Sequence, residues 1–128
     1  GLSMGGNGAY YLAYRHPERF AAVLVACGFV EAFIGKQSGV HYPPIVSKPD
    51  TDLYTDIALH IAKLPIWIFQ GDADPTVSVE VSRHMHAALK AAGANVQYTE
   101  LPGVGHNSWI EMYDRQDVIE WLLRQKRR

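Results

Sequence analysis

The chain has 128 residues, the size of one domain, and its 48% hydrophobic content is enough to fill a core. A formal net charge of -1 excludes a protein that holds nucleic acid or anionic membrane through bulk charge. Its single cysteine, Cys27, rules out an intrachain disulfide, and no apolar run reaches the about 20 residues of a membrane-spanning helix.

The chain opens on Gly1-Leu2-Ser3-Met4-Gly5. The pattern Gly-x-Ser-x-Gly is that of a nucleophile elbow, a sharp strand-to-helix turn that pushes a serine hydroxyl outward. Small residues two before and two after the serine let the backbone pass close to itself, and strained geometry is expected at Ser3. Ser3 as a plain N-terminal helix cap is the alternative, but glycines on both sides fit an elbow better. A strand should run into Gly1 from upstream. The chain is therefore expected to be part of a larger unit, with its N-terminal strands absent and nothing to pin the turn from that side.

Gly5 to His16 reads as a helix, with Tyr10, Ala13 and Tyr14 on one face and Pro17 ending it. Phe20 to Ala26 (FAAVLVA) is a short apolar run, the mark of a buried strand. Cys27 follows that run and is expected to be a buried, inert thiol. Residues 29–52 form a long irregular excursion with a helical start over Val30 to Ile34. A short helix is expected over Asp56 to Lys63, then a buried strand over Pro65 to Gln70 (PIWIFQ).

Gly71 to Val77 is a loop. Ser78 suits a helix N-cap and Gly93 a helix end, with Val81, Met85, Leu89 and Ala92 as the apolar stripe between them. Asn95 to Leu101 reads as a strand. A terminal helix is expected over Asp114 to Gln125, with Val118, Ile119, Leu122 and Leu123 inward. The basic tail, Arg124 to Arg128, suits a helix C-terminus, where cations favour the macrodipole. Strands alternating with helices at this spacing make an α/β fold with a parallel sheet.

In such a sheet the loops after the strands open on one edge, where ligand sites form. Ser3 lies in the elbow. Asp74 lies in Gly71-Asp72-Ala73-Asp74-Pro75-Thr76-Val77, and His106 in Gly103-Val104-Gly105-His106-Asn107-Ser108-Trp109. Serine, acid and histidine in that chain order is an arrangement for acyl transfer. Asp72 competes with Asp74 for the acid role, although an aspartate there also suits a turn. His84 and His86, two apart on a helix, face different directions, and no Cys or His-Glu spacing supports zinc.

Through GLSMGG, PIWIFQGDADPTV and YTELPGVGHNSW, the chain resembles the C-terminal half of an α/β-hydrolase. More narrowly, it is similar to bacterial esterases related to dienelactone hydrolases, prolyl-oligopeptidase-like enzymes and carboxylesterase/phospholipase-type proteins. Residues 1–128 then read as one partial domain, from the elbow to the C-terminal helix.

The resemblance implies a serine carboxylesterase with Ser3 as nucleophile, Asp74 as the acid and His106 as general base. It implies the backbone N–H of Met4 as one oxyanion donor, with the second donor in an earlier loop that this chain lacks. Trp109 and Tyr10 are the substrate-pocket candidates. The resemblance implies a small-molecule ester as substrate and needs no cofactor or metal. It leans towards a secreted or periplasmic protein, with the cytoplasm open. The expected partner is the N-terminal half of the same fold, or a second copy pairing through the open FAAVLVA edge. A prolyl-oligopeptidase-type peptidase, and a non-catalytic α/β fragment serving as a binding or assembly piece, are the alternatives.

Overall fold

A computed structural model describes residues 1–35 and 38–127. Lys36 and Gln37 of the 29–52 excursion, and Arg128 of the basic tail, lie outside the described residues. Helix α1 spans Met4–Arg15 and is followed by a 3-10 turn over Pro17–Arg19 and strand β1 over Val23–Ala26. Strands β2 (Phe33–Ile34) and β3 (His41–Tyr42), helix α2 (Leu53–Ile61), β4 (Ile66–Gly71) and α3 (Val79–Ala91) come next. The chain ends with β5 (Val96–Leu101), α4 (Trp109–Asp114) and α5 (Gln116–Arg124).

The fold is α/β. Three parallel strands run in the order β1-β4-β5, flanked by helices. All six residues of the central strand β4 are buried, as its apolar run requires. Alternation splits them between two cores. Ile66 and Ile68 join Tyr10, Val25, Ile57, Ile61, Met85 and Leu89 beneath α1, α2 and α3. Trp67 and Phe69 join Met112, Val118 and Trp121 beneath α4 and α5. The helix ends are built as their sequences suggest. Asp52 accepts the Thr55 N–H ahead of α2, and Ser78 accepts the Glu80 N–H ahead of α3. Gly93 follows α3 at φ 75°.

Three expectations are corrected. Val30 to Ile34 is not helical: Phe33–Ile34 pairs antiparallel with His41–Tyr42, and Phe29, Phe33 and Tyr42 pack ring against ring. Aromatic residues in a two-strand hairpin gain from such cross-strand contacts, which a short helix could not supply. The terminal helix is split at Arg115, whose extended backbone (ψ 118°) separates α4 from α5. That break sets the rotation of α5, so Val118 and Trp121 turn inward. Ile119 and Leu122 are exposed instead, and Leu123 is 78% exposed. The first strand is also shorter than FAAVLVA, because Pro17–Arg19 and the bend after it take up its start.

The β5 surface carries a charged cluster. Arg83 from α3 bonds both oxygens of Glu100, at 2.8 and 2.9 Å, and Tyr98 Oη donates to the same carboxylate at 2.6 Å. The Arg83 guanidinium, then the Tyr98 hydroxyl, hold the Glu100 carboxyl down at about 2. A depressed carboxyl stabilises the fold above its unfolded value, and that gain is lost as pH falls through the folded value. Glu100→Gln is expected to cost less than about 1 kcal/mol at neutral pH, because the partners are solvent-screened. The gap between variant and parent should close as the pH falls from about 4.5 towards 2. Urea unfolding across that range is the measurement.

Candidate active site

Ser3 sits between Leu2, which bridges in parallel to Ala26 of β1, and Met4, the first residue of α1. The Ser3 N–H donates to the Ala26 carbonyl at 2.8 Å, and the Ala26 N–H to the Gly1 carbonyl at 2.9 Å. These two bonds fasten the turn to β1, contrary to the expectation that nothing would pin it there. Ser3 lies at φ 49°, ψ -116°, a backbone region that costs a side-chain-bearing residue on the order of 1–3 kcal/mol. A Cβ on Gly1 would collide with the Gly5 carbonyl, so the small residue before the serine is required. A Cβ on Gly5 would meet nothing, so the expected second close approach is absent.

The Ser3 side chain does not cap α1. Its Oγ lies 2.8 Å from His106 Nε2, and His106 Nδ1 lies 2.8 Å from Asp74 Oδ2. A carboxylate only accepts, so the ring proton belongs on Nδ1. Nε2 then keeps its lone pair and accepts from the Ser3 hydroxyl. One proton can move along this path without any side chain shifting far. The Met4 N–H stands at the first helical position, where no intrahelical acceptor exists.

The loop after β4 aims the acid. Asp74 Oδ1 accepts the N–H groups of Thr76 (2.8 Å) and Val77 (2.9 Å), which leaves Oδ2 for the imidazole. Asp72 points elsewhere: its Oδ1 accepts the Gly103 N–H at 2.7 Å and ties the two loops together. Gly71 sits hard against the carbonyls of Val104 and Gly105, where any side chain would clash. His106 therefore approaches on a loop packed directly on the end of β4.

Gln70 was not singled out in the sequence. Its side chain is wholly buried, and its Nε2 donates to Asp74 Oδ2 at 3.1 Å and to the Val77 carbonyl at 3.1 Å. Its Oε1 accepts from the Ser82 hydroxyl of α3 at 2.9 Å. The signal was a lone amide closing the apolar run PIWIF, since a polar group in a doubly buried strand needs partners.

Trp109 stands edge-on to the His106 ring, centroids 5.4 Å apart, so it borders the site. Tyr10 does not. At 1% exposure it is locked in the core under β1, because its place on the inward face of α1 turns it towards Val25 and Ile57. His84 and His86 face different partners, Tyr54 and Tyr98. Cys27 is buried, and burial pushes its thiol up.

The model of the prolyl oligopeptidase family matches residues 1–126. A crystal structure of a thermostable esterase is 32% identical with a TM-score of 0.76, covering 98% of this chain and 30% of that one. Acyl-protein thioesterase 1 of Neurospora crassa is 40% identical over 62 residues, which are 48% of this chain and 24% of that protein. A ferulic acid esterase from Anaeromyces mucronatus is 18% identical with a TM-score of 0.62, covering 96% of this chain and 40% of that one, and shares the fold. The chain thus spans about a quarter to two fifths of the length of these relatives.

Gln70→Leu keeps the volume but removes a donor from Asp74 and strands the Ser82 hydroxyl. It should lower stability by about 1–3 kcal/mol and shift the His106 Nδ1–H proton resonance. Adding Ser82→Ala should cost little more, since both polar partners are then gone. Urea titration and proton NMR measure the two effects.

Proposed function

The chain belongs to the prolyl oligopeptidase family, and on that premise we propose that Ser3, His106 and Asp74 are the catalytic triad of a serine hydrolase that cleaves carboxylic esters through an acyl-enzyme. The observation that carries this is the unbroken hydrogen-bond chain Ser3–His106–Asp74, 2.8 Å at each step, with the serine on a strained turn into a helix. The likeness to a thermostable esterase and to acyl-protein thioesterase 1 supports an acyl substrate over a peptide.

In the proposed mechanism Ser3 Oγ attacks the ester carbonyl carbon as His106 Nε2 takes its proton. Asp74 holds the Nδ1–H and steadies the imidazolium, and the Met4 N–H faces the oxyanion. Collapse of the tetrahedral intermediate expels the alcohol, which leaves with the proton from His106. Water then repeats the sequence on the acyl-serine and releases the acid. Trp109 limits the tilt of the imidazole from its side of the site.

We also propose that further strands or a second copy cover the outer edge of β1. An apolar groove of about 530 Å³ runs there between α1 and α5, lined by Leu12, Ala22, Leu24, Tyr113 and Leu122. The 128 residues expressed alone should self-associate through this edge or turn over esters only when a complementary chain is added. Light scattering with an esterase assay decides it: a monomer with ordinary turnover would overturn this part.

In the active protein, Ser3→Ala should reduce hydrolysis of a p-nitrophenyl ester by on the order of a millionfold without loss of fold. Asp74→Asn should lower kcat about ten-thousandfold, and Asp72→Asn far less, because Asp72 holds Gly103 and not the imidazole. Equal losses at both aspartates would displace Asp74 from its role. Comparing the ester with an anilide of the same acyl group separates the esterase from a peptidase.

A further inference from the structure

Folding brings together three groups that lie far apart in the chain. Cys27 Sγ, a carboxylate oxygen of Asp74 and a ring nitrogen of His106 all lie within 4.8 Å of one another. They offer one soft, one borderline and one hard donor. That set suits zinc, whereas magnesium and calcium take oxygen ligands. A second observation points to the same spot. Ser108 is wholly buried, and its hydroxyl meets the Cys27 thiol. A hydroxyl in that place bonds the sulfur and favours its thiolate, the form that binds a metal. Cys27 is held with its thiol towards this cluster, at φ 44° and with its N–H on the Phe69 carbonyl at 2.9 Å.

We propose that Cys27, His106 and Asp74 form an inhibitory zinc site. Zinc enters past His106, whose side chain is 24% exposed. It binds the Cys27 thiolate, His106 Nδ1 and an Asp74 oxygen, with water in the fourth position. The thiol proton passes to solvent. With Nδ1 on the metal, the neutral ring must carry its proton on Nε2. That nitrogen then donates to Ser3 Oγ and no longer accepts its proton, so attack stops. Zinc bonds of about 2.0–2.3 Å set ligand atoms roughly 3.5 Å apart, so the widest pair must close by about 1 Å. The metal takes the place of the Nδ1 proton between His106 and Asp74, so that pair opens from 2.8 Å while the sulfur closes in.

The inhibition rests on the triad assignment above, but the metal binding does not, and the test keeps them apart. Zinc chloride is titrated into the active form, self-associated or with the complementary chain added, during hydrolysis of a p-nitrophenyl ester, with magnesium chloride as control. Cobalt(II) is added separately, and the thiolate-to-cobalt charge-transfer absorption is recorded. The parent protein should lose turnover at about one zinc per chain, stay indifferent to magnesium and show the cobalt absorption. Cys27→Ala should keep metal-free turnover and lose the cobalt absorption. It should need at least 10–100-fold more zinc for half inhibition, the cost of losing even an outer-shell partner. Cys27→Ser, which keeps the shape, should show the same losses should the alanine variant not fold. A parent protein without the cobalt absorption, or a Cys27 variant inhibited by zinc like the parent, overturns the site. Cobalt absorption in a protein that turns over no ester, even self-associated or with the complementary chain added, would uphold the metal site and sink the triad assignment.

Discussion

The burial of β4 on both faces is the constraint on which the site depends. Each of Ile66, Trp67, Ile68 and Phe69 gains about 1.5–3 kcal/mol by leaving water. A strand in that position needs neighbours on both edges and helices on both faces. Its partners run parallel to it, in register from Val23 opposite Ile66 to Leu101 opposite Gly71. Parallel pairing forces the crossovers to the far end and leaves the carboxyl ends of the strands together. Ser3, Cys27, Asp74 and His106 come from four separate stretches of chain, and all are placed at that edge.

The polar groups there have a common direction. Ser82 donates to Gln70 and Gln70 to Asp74, while from the other side Ser3 donates to His106 and His106 to Asp74. The Asp74 carboxylate is the sink of both runs. Around the buried Asp74 side chain each bond polarises the next, so the arrangement is stiffer than its separate pairs suggest. Apart from the imidazole, every donor that meets Asp74 is an amide, and among the described residues no lysine or arginine bonds to it. Backbone and side-chain amides thus fix the carboxylate, and the imidazole is its single partner that can carry charge.

Much of this was legible in the chain itself. The apolar runs VLVA and IWIF are strands because doubly buried strands have no polar face to show. Ser3, Asp74 and His106 stood out because each occupies a loop directly after an expected strand. What stayed hidden depends on rotation and on contacts distant in sequence. The inward face of α5 turns on the break at Arg115, which the helical period alone does not encode. The Phe33–Tyr42 hairpin needs two rings that lie nine positions apart to meet. The entrance of the turn is pinned by Ala26, which no local pattern around Gly1 announces. Gln70 was visible only as a polar residue in the wrong place, and its partners required the fold.

The packing of Gly71 against the carbonyls of Val104 and Gly105, with the Asp72–Gly103 bond beside it, welds two loops into one body. The acid and the histidine therefore share a rigid platform and cannot drift apart independently. Ser3 is anchored separately, to Ala26 through the backbone. Any breathing of the site thus divides it along a single seam, between the serine and the imidazole. In the mechanism we propose, that seam is where the ester carbonyl enters, so the molecule would yield on the side that admits a ligand and stay fixed where the imidazole is held.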